Sequence, residues 1–294
     1  MNYTIENEKM RVDICDVGAE LASIFNKANS TEYLWQGDPA YWGRRSPVLF
    51  PIVGSVWDKK YRVDGREYEL GQHGFARDMD FTLVEASETE VRYRLESDED
   101  TLARYPYPFV LEIAYRLHGS SVDVVWEVTN PAEEDMYFQI GAHPAFFYPD
   151  YAPDMMERGY LAFDRTEGLE CIRIRGKGCV DAETKYPLEI PESGRLPISR
   201  DTFDAIDTIM LQDSQVHEVS MFRVDGTPWL KVSFDAPVVG IWSPPRKVAP
   251  FICIEPWYGR CDRTDYEGDY RDKDWINRLA PGQKFSSVYT ITIE

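Results

Sequence analysis

The chain is short of positive charge: 32 Lys and Arg stand against 51 Asp and Glu in 294 residues, a formal net charge of −19. A field of that sign repels phosphate backbones and anionic lipid surfaces. Nucleic acid and membrane are therefore not expected as partners, and an anionic ligand would need a local basic pocket. Cysteine is scarce and unpatterned. Cys15, Cys171, Cys179, Cys253 and Cys261 are odd in number, scattered, and show no CxxC pair, which argues against a disulfide framework and a thiolate zinc site. No apolar run approaches the roughly 18 residues that span a bilayer. The opening MNYTIENEKM has no apolar stretch before a small-residue cleavage site. The expected location is the cytoplasm, with reduced thiols.

Several catalytic signatures are also missing. The chain has no GxSxG, no HExxH, no closely spaced HxH with a following Glu, and no glycine-rich loop between a strand and a helix. No His and carboxylate spacing matches a known metal-ligand pattern, so neither metal nor cofactor is expected.

What is present is a hydrophobic periodicity of two. Met10, Val12 and Ile14 alternate with Arg11, Asp13 and Cys15, and Val122, Val124, Trp126 and Val128 alternate with Asp123, Val125, Glu127 and Thr129. These are half-buried strands. Similar runs at 81–86, 90–96, 110–117, 137–140, 218–224, 229–234 and 287–293, separated by turn residues, predict an all-β sandwich. Asp64-Gly65 and Asp225-Gly226, each between strand-like runs, predict tight primed hairpin turns. Helical signal is confined to 98–105 and 200–203, too short to cover a parallel sheet. The Pro- and Asp-rich stretch 148–158 reads as a surface loop rather than a linker, because strand patterns continue on both sides without an internal repeat. A single domain over 1–294 is expected. The acidic tract 262–274 reads as a solvated loop.

The four histidines differ in context. His118, before a glycine, and His217, at the start of an exposed strand, look ordinary. His73 in QHGFARD and His143 in IGAHPAFF lie among Gly, Pro and large aromatics, where the backbone leaves its strand and a side chain can face a concave site. Each is either a site residue or a buried histidine satisfied by a carbonyl. Glu255 ends the apolar run FICI and precedes Pro256 and Trp257. Desolvation there would raise its pKa toward a general base's range; a capped or ion-paired acid is the alternative. Trp257, Trp42 and Trp242 offer flat faces for a sugar ring, with core packing as the other reading and the stronger one for Trp242.

Six blocks, RRSPVLFPIVG (44–54), QHGFARD (72–78), YPYPF (105–109), FQIGAHPAFF (138–147), VGIWSP (239–244) and CIEPWYG (253–259), together resemble the galactose mutarotase, or aldose 1-epimerase, superfamily. They are most similar to its bacterial branch often encoded with lactose-utilisation genes. The resemblance implies a β-supersandwich of mostly antiparallel strands and an isomerase that interconverts α and β anomers of an aldohexose. It makes His143 the general acid, Glu255 the general base, His73 a second histidine that holds sugar hydroxyls, and Asp207 a sugar-binding aspartate, with Asp204 as a rival. Ser55 stands where the group commonly has an arginine; Arg77 or Arg45 could supply the guanidinium, although Arg77 could instead pair with Asp78 or Asp80.

That mechanism needs only two proton-transfer groups, with His143 protonated and Glu255 ionised at the start, a state the acidic chain would favour. Two rivals stand. One is a hexose-6-phosphate epimerase using Arg44, Arg45, Arg77 and Lys59; the other is a non-catalytic carbohydrate-binding or sugar-sensing protein. A monomer or a homodimer fits the sequence equally well.

Overall fold

A computed structural model describes residues 2–294. It is an all-β protein with two short α-helices, Glu99–Arg104 and Thr202–Ile206. The first helix is fixed by a reciprocal cap: the Asp98 carboxylate accepts from the Thr101 amide at 2.8 Å while the Asp98 amide donates to Thr101 Oγ1 at 2.7 Å.

Two large sheets carry the architecture. The nine-stranded sheet runs in the order Leu196–Ser199, Glu157–Phe163, Glu218–Phe222, Pro228–Phe234, Lys284–Ile293, Ser121–Thr129, Val110–His118, Glu90–Glu96, Thr82–Ala86. The second has the order Cys179–Pro187, Glu170–Gly176, Thr208–Leu211, Val238–Trp242, Phe251–Tyr258, Ile140–Ala142, Val48–Leu49, and Ala145–Phe147 also pairs with Phe251–Tyr258. The central ladders are antiparallel. Alternation places Val122, Val124 and Trp126 of the first sheet in one core cluster with Ile209, Leu211, Val239, Ile241, Ile252 and Ile254 of the second. On the second sheet's opposite face stand Met210, Trp242, Glu255 and Trp257, with Gly240 paired to Glu255 and set against the Trp257 ring. That sheet is therefore covered on both sides, and its outer face becomes the wall of a cavity. Among the described residues no helix is long and apolar enough to cross a membrane.

Four expectations need correction. The run 137–140 is not one strand: Met136–Phe138 pairs with Asn277–Leu279, Ile140–Ala142 joins the second sheet, and the chain passes between them at the fully buried Gln139. Asp64-Gly65 makes the expected turn, with φ of 49° and 76°, but at the second hairpin only Gly226 has positive φ. There the Arg223 and Thr227 backbones close a wider loop, because Asp-Gly serves both geometries. Glu255 does not end its strand, which continues through Pro256 to Tyr258. Finally, the tract 262–274 is not simply solvated. Asp262 and Lys273 are each 5% exposed and ion-paired with one another, Tyr270 is fully buried, and Asp274 binds Arg260 and Arg263.

Candidate active site

The site exists because one strand is interrupted. Phe251–Tyr258 pairs with Ala145–Phe147 as far as Cys253 and with Ile140–Ala142 from Trp257 onward. Between those ladders the register runs on unchanged, so His143 stands directly opposite Glu255, but the strand is interrupted at His143 and Pro144. The Ile254 amide still donates to Pro144 O at 3.3 Å, and N–H groups two residues apart point to the same neighbour. Pro256, which has no N–H, thus faces the break, and a proline in a central strand removes no ladder bond there. This cross-strand placement sets His143 Nε2 3.3 Å from Glu255 Oε2. Both residues are buried, at 8% and 1% exposure.

Together they line a cavity of about 480 Å³ with Trp42, Gln72, His73, Arg77, Asp207, Thr208, Met210, Trp242 and Trp257. Trp42 stacks on the His143 ring at 4.7 Å and Trp242 meets its edge at 5.6 Å. Among the described residues, neither His143 Nδ1 nor Glu255 Oε2 has a hydrogen-bond partner. Burial, reinforced by the Arg77 guanidinium, lowers the His143 pKa to about 3. Burial, reinforced by the Asp207 carboxylate, pushes Glu255 well above the usual carboxylate range. Both shifts favour the neutral forms, a protonated carboxyl beside an unprotonated imidazole. This reverses the expectation from net charge: desolvation acts at contact range and outweighs a distant negative field, and the charge nearest His143 is positive.

His73 is held in one tautomer. Its Nδ1 accepts from the Gly54 amide at 3.1 Å, and its own amide donates to Gly54 O at 2.7 Å. Nδ1 is thus an acceptor, and the proton of the neutral ring sits on Nε2. Burial, with His143 nearby, lowers the His73 pKa well below the ordinary value, so this ring is a fixed neutral donor. Its φ of 65° is a left-handed conformation uncommon for a non-glycine residue. Asp207, at the end of the second helix, has φ 61° and ψ −73°, the rare γ-turn geometry. Strain of this kind, on the order of 1–3 kcal/mol, concentrates at functional positions. Asp207 Oδ1 accepts from the Thr208 hydroxyl at 2.8 Å.

Other candidates separate cleanly. Arg77 lines the cavity and donates to Gln72 O at 2.7 Å, with Asp78 farther away at 3.8 Å; burial lowers its pKa to about 10, so it keeps its charge at neutral pH. Arg45 and Asp204 lie outside the lining, and Asp204 instead accepts from the Arg246 amide at 2.7 Å. Arg44 pairs with Asp78 at 2.8 Å, and Lys59 is exposed, both outside the lining. Ser55 lies against Gly178, which lines the cavity in its place. Trp257 is 5% exposed, its indole N–H donates to Ala142 O at 3.1 Å, and it fits between Gly141 and Gly240. It is a packed floor rather than an open platform. Trp242, read from sequence mainly as core, lines the cavity, as do Thr208 and Met210, which share the face that Asp207 enters and which sequence reasoning missed. Their period-two positions were the available signal.

The fold, two large antiparallel sheets packed as a sandwich, coincides with what comparison finds. The model of the aldose 1-epimerase family matches residues 1–292, and the chain belongs to that family. It is 34% identical over 302 aligned residues to the chromosomal protein LacX of Lactococcus lactis subsp. lactis, covering 100% of this chain and 99% of LacX. A galactose mutarotase related enzyme from Lactobacillus acidophilus superposes with a TM-score of 0.92 at 33% identity, over 100% of this chain and 97% of that one. A galactose mutarotase-like protein from Lactobacillus casei superposes with a TM-score of 0.91 at 30% identity, over the whole of both chains. The likeness to LacX agrees with the lactose-associated branch indicated by the sequence blocks.

Proposed function

We propose that the chain is a mutarotase, an isomerase that interconverts the anomers of an unphosphorylated aldohexose, acting as one unit over 1–294. The observation that carries this reading is the buried pair His143 Nε2 and Glu255 Oε2, 3.3 Å apart on the wall of a cavity. Opening a pyranose requires removing the O1 proton and protonating O5. Both oxygens are bonded to C1, so one acid and one base a few ångströms apart reach both. Glu255 takes the O1 proton and His143 protonates O5; the aldehyde rotates about C1–C2 and closes on its other face with the roles reversed. One proton shared by the pair suffices, and the 3.3 Å separation lets it pass from the Glu255 carboxyl to His143 when sugar hydroxyls enter. His73, Arg77 and Asp207 hold the hydroxyls, and Trp257 forms the floor.

The lining favours a neutral sugar. Among the described residues, Arg77 is the one Lys or Arg that lines the cavity, beside the carboxyl groups of Asp207 and Glu255. A phosphate dianion calls for a cluster of guanidinium groups, and Arg44, Arg45 and Lys59 do not join one. The test is the approach of α-D-galactose, α-D-glucose and glucose 6-phosphate to anomeric equilibrium by polarimetry, with wild type beside His143→Gln. Acceleration of the free sugars that disappears in the variant is expected. Acceleration of the phosphate alone, or none with sugar still bound, would replace this reading by one of its rivals.

A further inference from the structure

We propose that His143, Glu255 and Cys253 form a binding site for a thiophilic divalent cation such as Zn²⁺, and that the cation, once bound, shuts the cavity to sugar. Cys253 and Glu255 stand two residues apart on one face of their strand, and His143, opposite Glu255 on the neighbouring segment, brings an imidazole to them. One donor atom from each lies within 4.8 Å of the others. His143 Nε2 and Glu255 Oε2, at 3.3 Å, already have the separation, about 3.3 Å, of two ligands at roughly 2.0–2.1 Å from a tetrahedral zinc. The Cys253 sulfur needs to close by about 1 Å to reach a zinc–sulfur distance of roughly 2.3 Å. The fourth position opens to the cavity that His143 and Glu255 line.

A further observation points to a ligand here. Glu255 Oε2 is buried without a hydrogen-bond partner among the described residues, an arrangement that calls for an explanation. Cys253 is fully buried among Trp35, Ala145 and Phe251, a wall that disfavours isolated charge. A dication held by a thiolate, a carboxylate and a neutral imidazole has no net charge. Binding is a proton exchange: the thiol and the carboxyl each release one proton to solvent, their lone pairs and that of the imidazole go to the metal, and water fills the fourth place. Neither catalytic group can then move a proton, so the cation inhibits rather than assists.

The site itself rests on donor geometry; only the inhibition depends on the epimerase reading. Co²⁺ titrated into the full chain is expected to give a thiolate-to-cobalt charge-transfer band that Zn²⁺ displaces. Cys253→Ser should lose the band and bind Zn²⁺ on the order of 100-fold more weakly, with folding checked by circular dichroism. In wild type Zn²⁺ should raise the apparent KM for sugar, and in Cys253→Ser it should not at the same concentration. No band, or one that survives in Cys253→Ser, would overturn the proposal. If Cys253→Ser does not fold, Glu255→Gln decides on Co²⁺ affinity alone, and unchanged affinity overturns it. A cobalt band in a protein that turns over no sugar would keep the metal site and remove the proposed function.

Discussion

Glu255→Gln is expected to push activity and stability in opposite directions. Burial raises the Glu255 pKa well above its ordinary 4.5, so the folded state holds a neutral carboxyl where the unfolded chain holds a carboxylate. Below about pH 4.5 the group is protonated in both states and its contribution to stability is fully present. As pH rises through that value the unfolded chain releases its proton, the folded one does not, and stability is lost until the raised folded pKa is reached. Glutamine is neutral at every pH and escapes this loss. The variant should therefore match wild type near pH 4.5 and exceed it near pH 8 by about 1.4 kcal/mol for each unit by which burial raises the folded pKa. For a chain of this size each such unit corresponds to roughly 3–6 °C in Tm. Removing a general base costs about 10²–10⁴ in rate, or roughly 3–5 kcal/mol of barrier. Calorimetry at the two pH values and polarimetry on the same preparations measure both effects. A variant less stable than wild type near pH 8, or a gain that does not change with pH, would refute the argument that Glu255 is held neutral.

The pH dependence of turnover follows from its partner. With His143 lowered to about 3, the pair keeps its single proton throughout mild acid. The enzymatic rate, corrected for spontaneous mutarotation, should be flat from about pH 5 to 7; a loss with its midpoint near 6.5 would mean His143 titrates as an ordinary imidazole. Lys273→Met should cost about 3–5 kcal/mol in urea unfolding, because it strands the buried Asp262 carboxylate. It should also raise KM, since Asp262 bonds Ser55 and Trp57 through backbone groups beside the cavity. A cost below about 1 kcal/mol would count against the pair's role.

How much of this was legible in the sequence follows from the range of each interaction. Period-two runs such as Met10–Cys15 and Ser121–Thr129 were readable because one face of each strand meets the core, a constraint local to the strand. His143 and Glu255 were individually visible through their Gly, Pro and aromatic neighbours, but no spacing rule announces their proximity, which depends on the register between segments distant in the chain. Their protonation was misread because net charge can be counted from composition and desolvation cannot. The tract 262–274 was misread for a related reason: its charges suggest solvent, and nothing local reveals that Lys273 and Asp262 neutralise one another inside. Arg45, adjacent to Arg44, was a reasonable candidate guanidinium, but it lies outside the lining.

Gly141 and Gly240, on the two strands that flank Trp257, leave a slot that the indole fills. A methyl group placed on either glycine would lie 2.5 Å or less from the indole ring. The base of the cavity is consequently a fixed template with almost no tolerance for redesign, since any larger residue there would displace the tryptophan that closes it. Under the proposed function, engineered changes in sugar preference are channelled to the periphery, where Gln72, Gly178 and Pro245 come from turns and loops. Libraries aimed at a new hexose would be spent most productively on those positions, with the floor left untouched.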